Sequence, residues 1–389
     1  MFCIECGRAN QDNAKFCCAC GQKAGQSSGP GAPTTAAVQT QATGGVLQSI
    51  GNRISSLAST DKLDGFSLRE FFSEVFKKRT KEEIDDYFVV GTSRTTPRIE
   101  DVATSWPKPW FFFRVLVFVA LIYFGFYFAF EQFENIKLIP GLIMMGSLAV
   151  PLATVILFFE LNIPRNVSFN RVLMLVASGG VVSLFVALVG FKVSNLDWLG
   201  ASSAGIVEEI GKLLAVILVA RAFRGKYILN GLLFGAAVGA GFAFFESAGY
   251  AFDFLERTNS LSVMFDVIQT RAFLTPFGHV AWTAIAAAAL WRVKKDRDFQ
   301  LNMLFDASFL QTMCIPMVLH MLWNAPFQTP FELHHLVLGI VGWFVVFGLV
   351  QQGLHQIREE QSVLARVAVP EVATAPGPQL VQPATAAIA

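Results

Sequence analysis

The chain of 389 residues is 53% hydrophobic and only 15% charged, with 38 Phe, a balance that excludes an ordinary soluble globular protein of this size. The formal net charge of +1 comes from both signs spread along the sequence, which excludes a polyanion partner for the chain as a whole. What remains is an all-α polytopic membrane protein.

Residues 1–24 are polar and cysteine-rich and contain no apolar stretch of the kind a secretory signal needs, so the amino terminus is expected in the cytosol. They hold an internal repeat, Phe2-Cys3-Ile-Glu-Cys6-Gly7 and Phe16-Cys17-Cys-Ala-Cys20-Gly21. Thiolates two residues apart can meet one ion, and the following Gly allows the tight turn. Cys3, Cys6, Cys17 and Cys20 therefore predict a small zinc ribbon, with a structural Zn2+ that a segment too short for a core would need in order to fold. Cys18 is the spare thiol, and Cys314, alone in an apolar run, reads as a buried small hydrophobe. The ribbon carries only Arg8, Lys15 and Lys23 as basic side chains, so no nucleic acid is expected and a cytosolic protein partner is the better use.

Residues 25–60, rich in Gly, Ser, Thr, Ala and Gln, read as a flexible linker. A cytosolic juxtamembrane helical module is expected over 61–109. Within it, Leu68, Phe71, Phe72, Val75 and Phe76 share one face of a helix at 66–78, and Thr80-Lys-Glu-Glu83 forms a capping box opening a second helix. Apolar runs of spanning length then recur through 110–352. They predict about eight transmembrane helices, near 110–130, 138–160, 172–191, 199–220, 229–252, 272–291, 303–324 and 334–352. Residues 353–389 read as a cytosolic, mostly disordered tail.

Lys and Arg in the short loops orient the bundle. The loops after spans two, four and six hold nine (Arg165, Arg171, Arg221, Arg224, Lys226, Arg292, Lys294, Lys295, Arg297), against four (Lys137, Lys192, Arg257, Arg271) in the loops after spans one, three, five and seven. The protein is thus expected in the cell membrane, multi-pass, with both termini cytoplasmic.

This orientation gathers the intramembrane polar residues at one depth. Glu208 and Glu209 would lie roughly 14 Å into span four and His279 roughly 10 Å into span six. Glu246 falls in the outer half of span five, and His320 and Asn324 near the outer end of span seven. Each ionisable group at such depth costs about 2.5–3.5 kcal/mol, so a shared role is expected to offset it. Lys212 follows Glu208 by four residues and Glu209 by three, and one amine can neutralise only one of the two carboxylates. A paired acid and base is one way to activate a water. Taken singly the residues are weaker signals, since a lone membrane histidine serves interhelical hydrogen bonding as often as chemistry. Glu160 reads as a packing or interfacial carboxylate, Arg114 as a snorkelling side chain, and His334 and His335 as solvated residues at the mouth of span eight.

Four motifs in order, Glu208-Glu209-x-x-Lys212, Phe242-x-x-x-Glu246, Gly-His279-Val-Ala-Trp-Thr and His320-x-x-Trp-Asn324, make the region 110–352 resemble the PrsW family of intramembrane proteases. That family is distantly akin to the CAAX prenyl protease and bacteriocin-processing superfamily. Ser247 stands after Glu246 where many relatives carry Asn. The resemblance implies an endopeptidase that cuts membrane-anchored protein substrates in or at the bilayer, an anti-sigma factor in the best-known members. Its catalytic set would be Glu208, Glu209, Glu246, His279 and His320, with Lys212 and Asn324 in support. Two His plus a Glu could hold a catalytic Zn2+ with one open position. Equally, the glutamate pair could activate water directly while His279 and Asn324 steady the oxyanion. Cleavage is expected near the extracytoplasmic face. The alternative is a non-catalytic scaffold or a proton-coupled transporter using the same charges, although a transporter should show related halves and the sequence has no such repeat.

Overall fold

The structure, a computed structural model, describes residues 41–221, 223, 225–326, 329–330 and 333–368. Cys3, Cys6, Cys17 and Cys20 lie outside the described residues, as does the expected ribbon. The described residues from Leu47 onward belong to one compact unit.

The chain enters through α1 (Gln41–Leu57), α2 (Leu68–Phe71) and α3 (Lys81–Asp85). The expected linker is thus helical over 41–57, where Gly51 lies against the Phe344 ring and Ser55 is buried, and Ala58 just after it is buried too. The Thr80 capping box forms, each partner's side chain accepting from the other's backbone N–H. The helix expected over 66–78 is instead the single turn α2 followed by turns. Phe71 and Val75 reach the core without it, whereas Phe76 is exposed. Phe66, Phe71 and Trp106 pack their rings on Phe347.

The membrane part follows as α4 (Phe111–Phe133), α5 (Ile139–Leu161), α6 (Phe169–Val193), α7 (Ala204–Ala220), α8 (Ile228–Thr258), α9 (Leu261–Leu274), α10 (His279–Lys294), α11 (Ala307–Trp323) and α12 (Leu333–Ala368). Every expected span contains helix. Six of the described segments are long and apolar enough to cross a bilayer, with α9 and α10 counted as one interrupted segment, Leu261–Lys294. The chain is an all-α polytopic membrane protein. Helices α7 and α11, at 17 residues each, are only about 25 Å long. They are also the two that carry Glu208, Glu209, Lys212 and His320.

Helix α8 lies at the centre, against α6 on one side and α10 on another. Small residues permit the approach, as expected where lipid gives helices no hydrophobic reason to associate. A Cβ on Gly241 would stand 2.0 Å from the Val176 carbonyl oxygen of α6, and one on Gly235 would stand 2.2 Å from the Thr283 carbonyl oxygen of α10. Glycine is needed at both places.

At one end of the bundle α4 starts and α5 stops, and the Glu160 carboxylate ties them together. It accepts the backbone N–H groups of Trp110, Phe111 and Phe112 at 2.7, 2.9 and 2.8 Å and the Tyr87 hydroxyl at 2.9 Å. An anion thus satisfies the orphan donors of a helix N-terminus. Burial, reinforced by the charge of Glu160, pushes the Tyr87 phenol up and keeps it a donor. Arg114 bends to the same end, its guanidinium over the Trp110 ring and donating to the Lys77 carbonyl.

Helix α12 continues to Ala368, well past the end expected near 352. Its last turns are held to the entry segments and to the α7–α8 connection by Arg358 to the Thr104 carbonyl, Gln361 to the Ile99 carbonyl, and Lys226 with Glu360. Cys314, expected in the core, is exposed on the outer surface of α11. A weakly polar thiol is tolerated on such a face.

Candidate active site

Two breaks in the helices make the site. Residues Asp197–Ser203 form 3-10 turns around Gly200, whose φ of +56° suits glycine, and α7 begins only at Ala204. Glu208 and Glu209 therefore lie in the first turns of α7, rather than roughly 14 Å along a helix begun at 199. A second interruption follows α9, where Pro276 supplies no N–H and Gly278 takes non-helical angles before α10. His279 is the first residue of α10. Irregular backbone at membrane depth is tolerated where it lines a protein cavity. Here Thr275, Gly278 and His279 line one of about 280 Å³, together with Ala243, Trp282 and Trp323.

Lys212 is the hub. Its Nζ lies 2.5 Å from Glu209 Oε1, 2.9 Å from His279 Nδ1 and 3.8 Å from Glu208 Oε2, and sits 4.6 Å over the Phe242 ring. An ammonium can only donate, so His279 Nδ1 accepts. The ring proton then sits on Nε2, 3.0 Å from Glu246 Oε2. Glu209 Oε1 is also 2.9 Å from His320 Nδ1. A carboxylate can only accept there, so Nδ1 of His320 donates and its Nε2 keeps a bare lone pair. That Nε2 lies 3.9 Å from Glu208 Oε2, a buried oxygen with no hydrogen bond. Trp282 stacks on the His320 ring at 4.6 Å and fixes its plane.

The structure thus brings Glu208, Glu209, Lys212, Glu246, His279 and His320 into one cluster from α7, α8, α10 and α11. Asn324 is not among them. It ends α11 and donates to the Ala201 carbonyl at 3.3 Å, a tie to the irregular turns before α7. His335 lines the cavity wall, with Nε2 3.1 Å from the Trp323 carbonyl oxygen. Two residues that sequence reading passed over also belong here. Trp282 was quoted only as part of a motif. Arg271, expected in the loop before span six, sits in the last turn of α9 and pairs with Glu246. Its signal was present, a lone arginine beside the apolar run Ala272-Phe273-Leu274.

One nitrogen from each of His279 and His320 and one oxygen of Glu208 all lie within 4.8 Å of one another. A Glu and two His are the donor set of hydrolytic zinc sites, which keep one position open. The unbonded Glu208 Oε2 and the bare His320 Nε2 fit that use, and the Glu209 carboxylate on His320 Nδ1 is the kind of contact that orients a metal-ligating histidine.

Residues 166–350, which carry every member of the cluster, match the model of the PrsW family intramembrane metalloproteases. The match covers just under half of the chain, and over that segment the sequence is that of the PrsW family. No curated protein and no solved structure matches the chain significantly. The match supports a membrane-embedded protease, which implies a membrane protein as substrate and the bilayer as its setting. Glu208, His279 and His320 are a donor set that could hold a metal ion within the matched segment.

Proposed function

We propose that the chain hydrolyses peptide bonds of membrane-anchored proteins near the extracytoplasmic face, using Glu208, Glu209, Glu246, His279 and His320 with Lys212 in support. The observation that carries this reading is the Glu208 Oε2 atom, buried, without a hydrogen bond and beside the uncommitted Nε2 of His320. Hydrolysis requires a base to take the water proton as oxygen adds to the carbonyl, and an acid to protonate the nitrogen as the C–N bond breaks. One carboxylate can do both in turn, and Glu208 is placed for it. Glu209 is the more committed of the two, since Lys212 and His320 share its Oε1, although its Oε2 is likewise buried without a hydrogen bond. Lys212 offsets the charge of Glu209, and Glu246 holds the proton of His279 in place. Where a divalent cation is held instead by Glu208, His320 and the Nδ1 of His279 released from Lys212, it would supply an acidified water and polarise the scissile carbonyl, with Glu208 a ligand rather than the base.

The side of the membrane rests on charge. Arg221, Lys226, Arg292 and Lys294 cap the helix ends remote from the cluster, which supports a cytosolic position for that end and an extracytoplasmic one for the cluster. Both termini are then cytoplasmic. In the segment before residue 25, the repeated Cys spacing supports a separate ribbon binding one Zn2+ through Cys3, Cys6, Cys17 and Cys20. Metal analysis of the purified chain against Cys3→Ser should register the loss of that zinc.

The test of the main reading is cleavage of a single-span fusion substrate by the purified protein in liposomes, with and without a zinc chelator. Cleavage that chelation abolishes and added zinc restores is the expected result. Cleavage indifferent to chelation would leave the glutamate pair to work alone, and an intact substrate throughout would contradict the proposal.

A further inference from the structure

Arg271 stands outside the set just described and is not explained by it. An arginine within a membrane segment costs about 2.5–3.5 kcal/mol, and this one is largely covered. It spends its donors on a single neighbour, α8. One terminal nitrogen pairs with Glu246 Oε2, Nε donates to Ser247 Oγ at 2.9 Å, and the guanidinium lies 4.4 Å over the Tyr250 ring. The partners at 246, 247 and 250 share one face of α8, so the planar fork holds the last turn of α9 in a fixed register against it. The same Oε2 that receives Arg271 lies 3.0 Å from His279 Nε2. A carboxylate on a flexible side chain has other rotamers, and nothing else among the described contacts of Glu246 selects this one.

We propose that Arg271 is a positioning residue for hydrolysis, clamping the Glu246 carboxylate so that it holds the Nε2–H of His279 while Nδ1 faces Lys212. The inference rests on the proposed role of this cluster. It also gives Ser247 a function. The hydroxyl takes the second arm of the guanidinium, so that Glu246 is gripped by a residue whose own orientation is fixed. Helix α9 then belongs to the active centre, although it contributes no group to the cluster itself. Contacts of this supporting kind are worth about 10- to 100-fold in activity when removed.

The test is a kinetic cycle on the full-length protein: wild type, Arg271→Gln, Glu246→Gln and the double variant, with Arg271→Lys and Ser247→Ala beside them. Arg271→Gln should lower kcat about 10- to 100-fold with KM within about twofold. The double variant should be no slower than Glu246→Gln alone, because the arginine acts only through that carboxylate. Arg271→Lys, which keeps the charge and loses the fork, should recover part of the rate, and Ser247→Ala should lose a few-fold. Losses that multiply in the double variant, or a rise in KM at unchanged kcat, would overturn the clamp, the second by making Arg271 a substrate contact. Imidazole 15N spectra of histidine-labelled protein read the same clamp without catalysis. The His279 Nε2–H signature should be lost or averaged in Arg271→Gln and kept in Arg271→Lys. An unchanged spectrum in Arg271→Gln overturns the inference, whereas an altered spectrum in a protein that cleaves nothing upholds the clamp and refutes the protease reading. If Arg271→Gln does not accumulate, the rates of Arg271→Lys and Ser247→Ala carry the test, and wild-type rates in both would overturn the clamp.

Discussion

Glu160 and Glu208 are each 8% exposed, and they sit at opposite ends of the same bundle. Glu160 is saturated, with three backbone N–H groups and a phenol on its two oxygens. Glu208 has a buried oxygen with no hydrogen bond, and its nearest charged or basic neighbours stand at 3.8 and 3.9 Å. Equal burial therefore conceals opposite design. A carboxylate surrounded by donors is part of the scaffold, where losing it leaves orphaned N–H groups. A carboxylate held among cations and rings with its lone pairs unspent is costly in the ground state and available for proton transfer or metal ligation.

The comparison breaks first if the Glu208 end proves structural. His320→Leu should cut cleavage of a membrane-anchored reporter by about 100-fold or more at near wild-type membrane abundance, since a neutral ring gives way to an apolar side chain. Loss of abundance in proportion to activity would place His320 in the scaffold with Glu160. Lys212→Met should depress both quantities, because it strips the buried Glu209 of its counter-charge at a cost of about 3–5 kcal/mol. Adding Glu209→Gln to Lys212→Met should restore abundance but not cleavage. If abundance stays low, the hub carries more than that charge balance. Gly235→Val tests how far α10 depends on its seat against α8. Overpacking there should cost about 1–3 kcal/mol, read as a lower melting temperature in detergent. The smallest effect belongs to the Glu160 end. Tyr87→Phe removes one donor of four and should cost about 1 kcal/mol in stability with kcat unchanged.

Much of the site could be read from the residues alone, because ionisable groups inside apolar runs are expensive and so conspicuous. Glu208, Glu209, Lys212, Glu246, His279 and His320 were all marked by that contrast, and they do meet. Their place within the helices differs from the expectation because hydropathy runs on through Asp197–Ser203 and Thr275–Gly278, where the backbone leaves the α-helix. Arg271 was hidden for the same reason. Once span six was begun at 272, the arginine before it looked like a loop charge, and only the separate helix α9 makes it interior. Near the amino end the error ran the other way. Gly, Ser and Ala composition suggested a tether, yet Leu47, Ile50, Ile54 and Leu57 recur at helical spacing within α1. The turn at α2 shows the converse limit, since apolar residues at 3.6-residue intervals can be buried by consecutive turns as well as by a helix.

The central claim, that an unspent carboxylate marks the working end of the bundle, is tested most directly by making one substitution at each end. Glu208→Gln and Glu160→Gln are to be compared for cleavage rate per molecule and for melting temperature in the same liposomes and detergent. The account predicts that Glu208→Gln loses about 100-fold or more in rate with an unchanged or higher melting temperature, while Glu160→Gln melts several degrees lower and cleaves at the wild-type rate per folded molecule. The same pattern in both variants, or wild-type cleavage by Glu208→Gln, would contradict it.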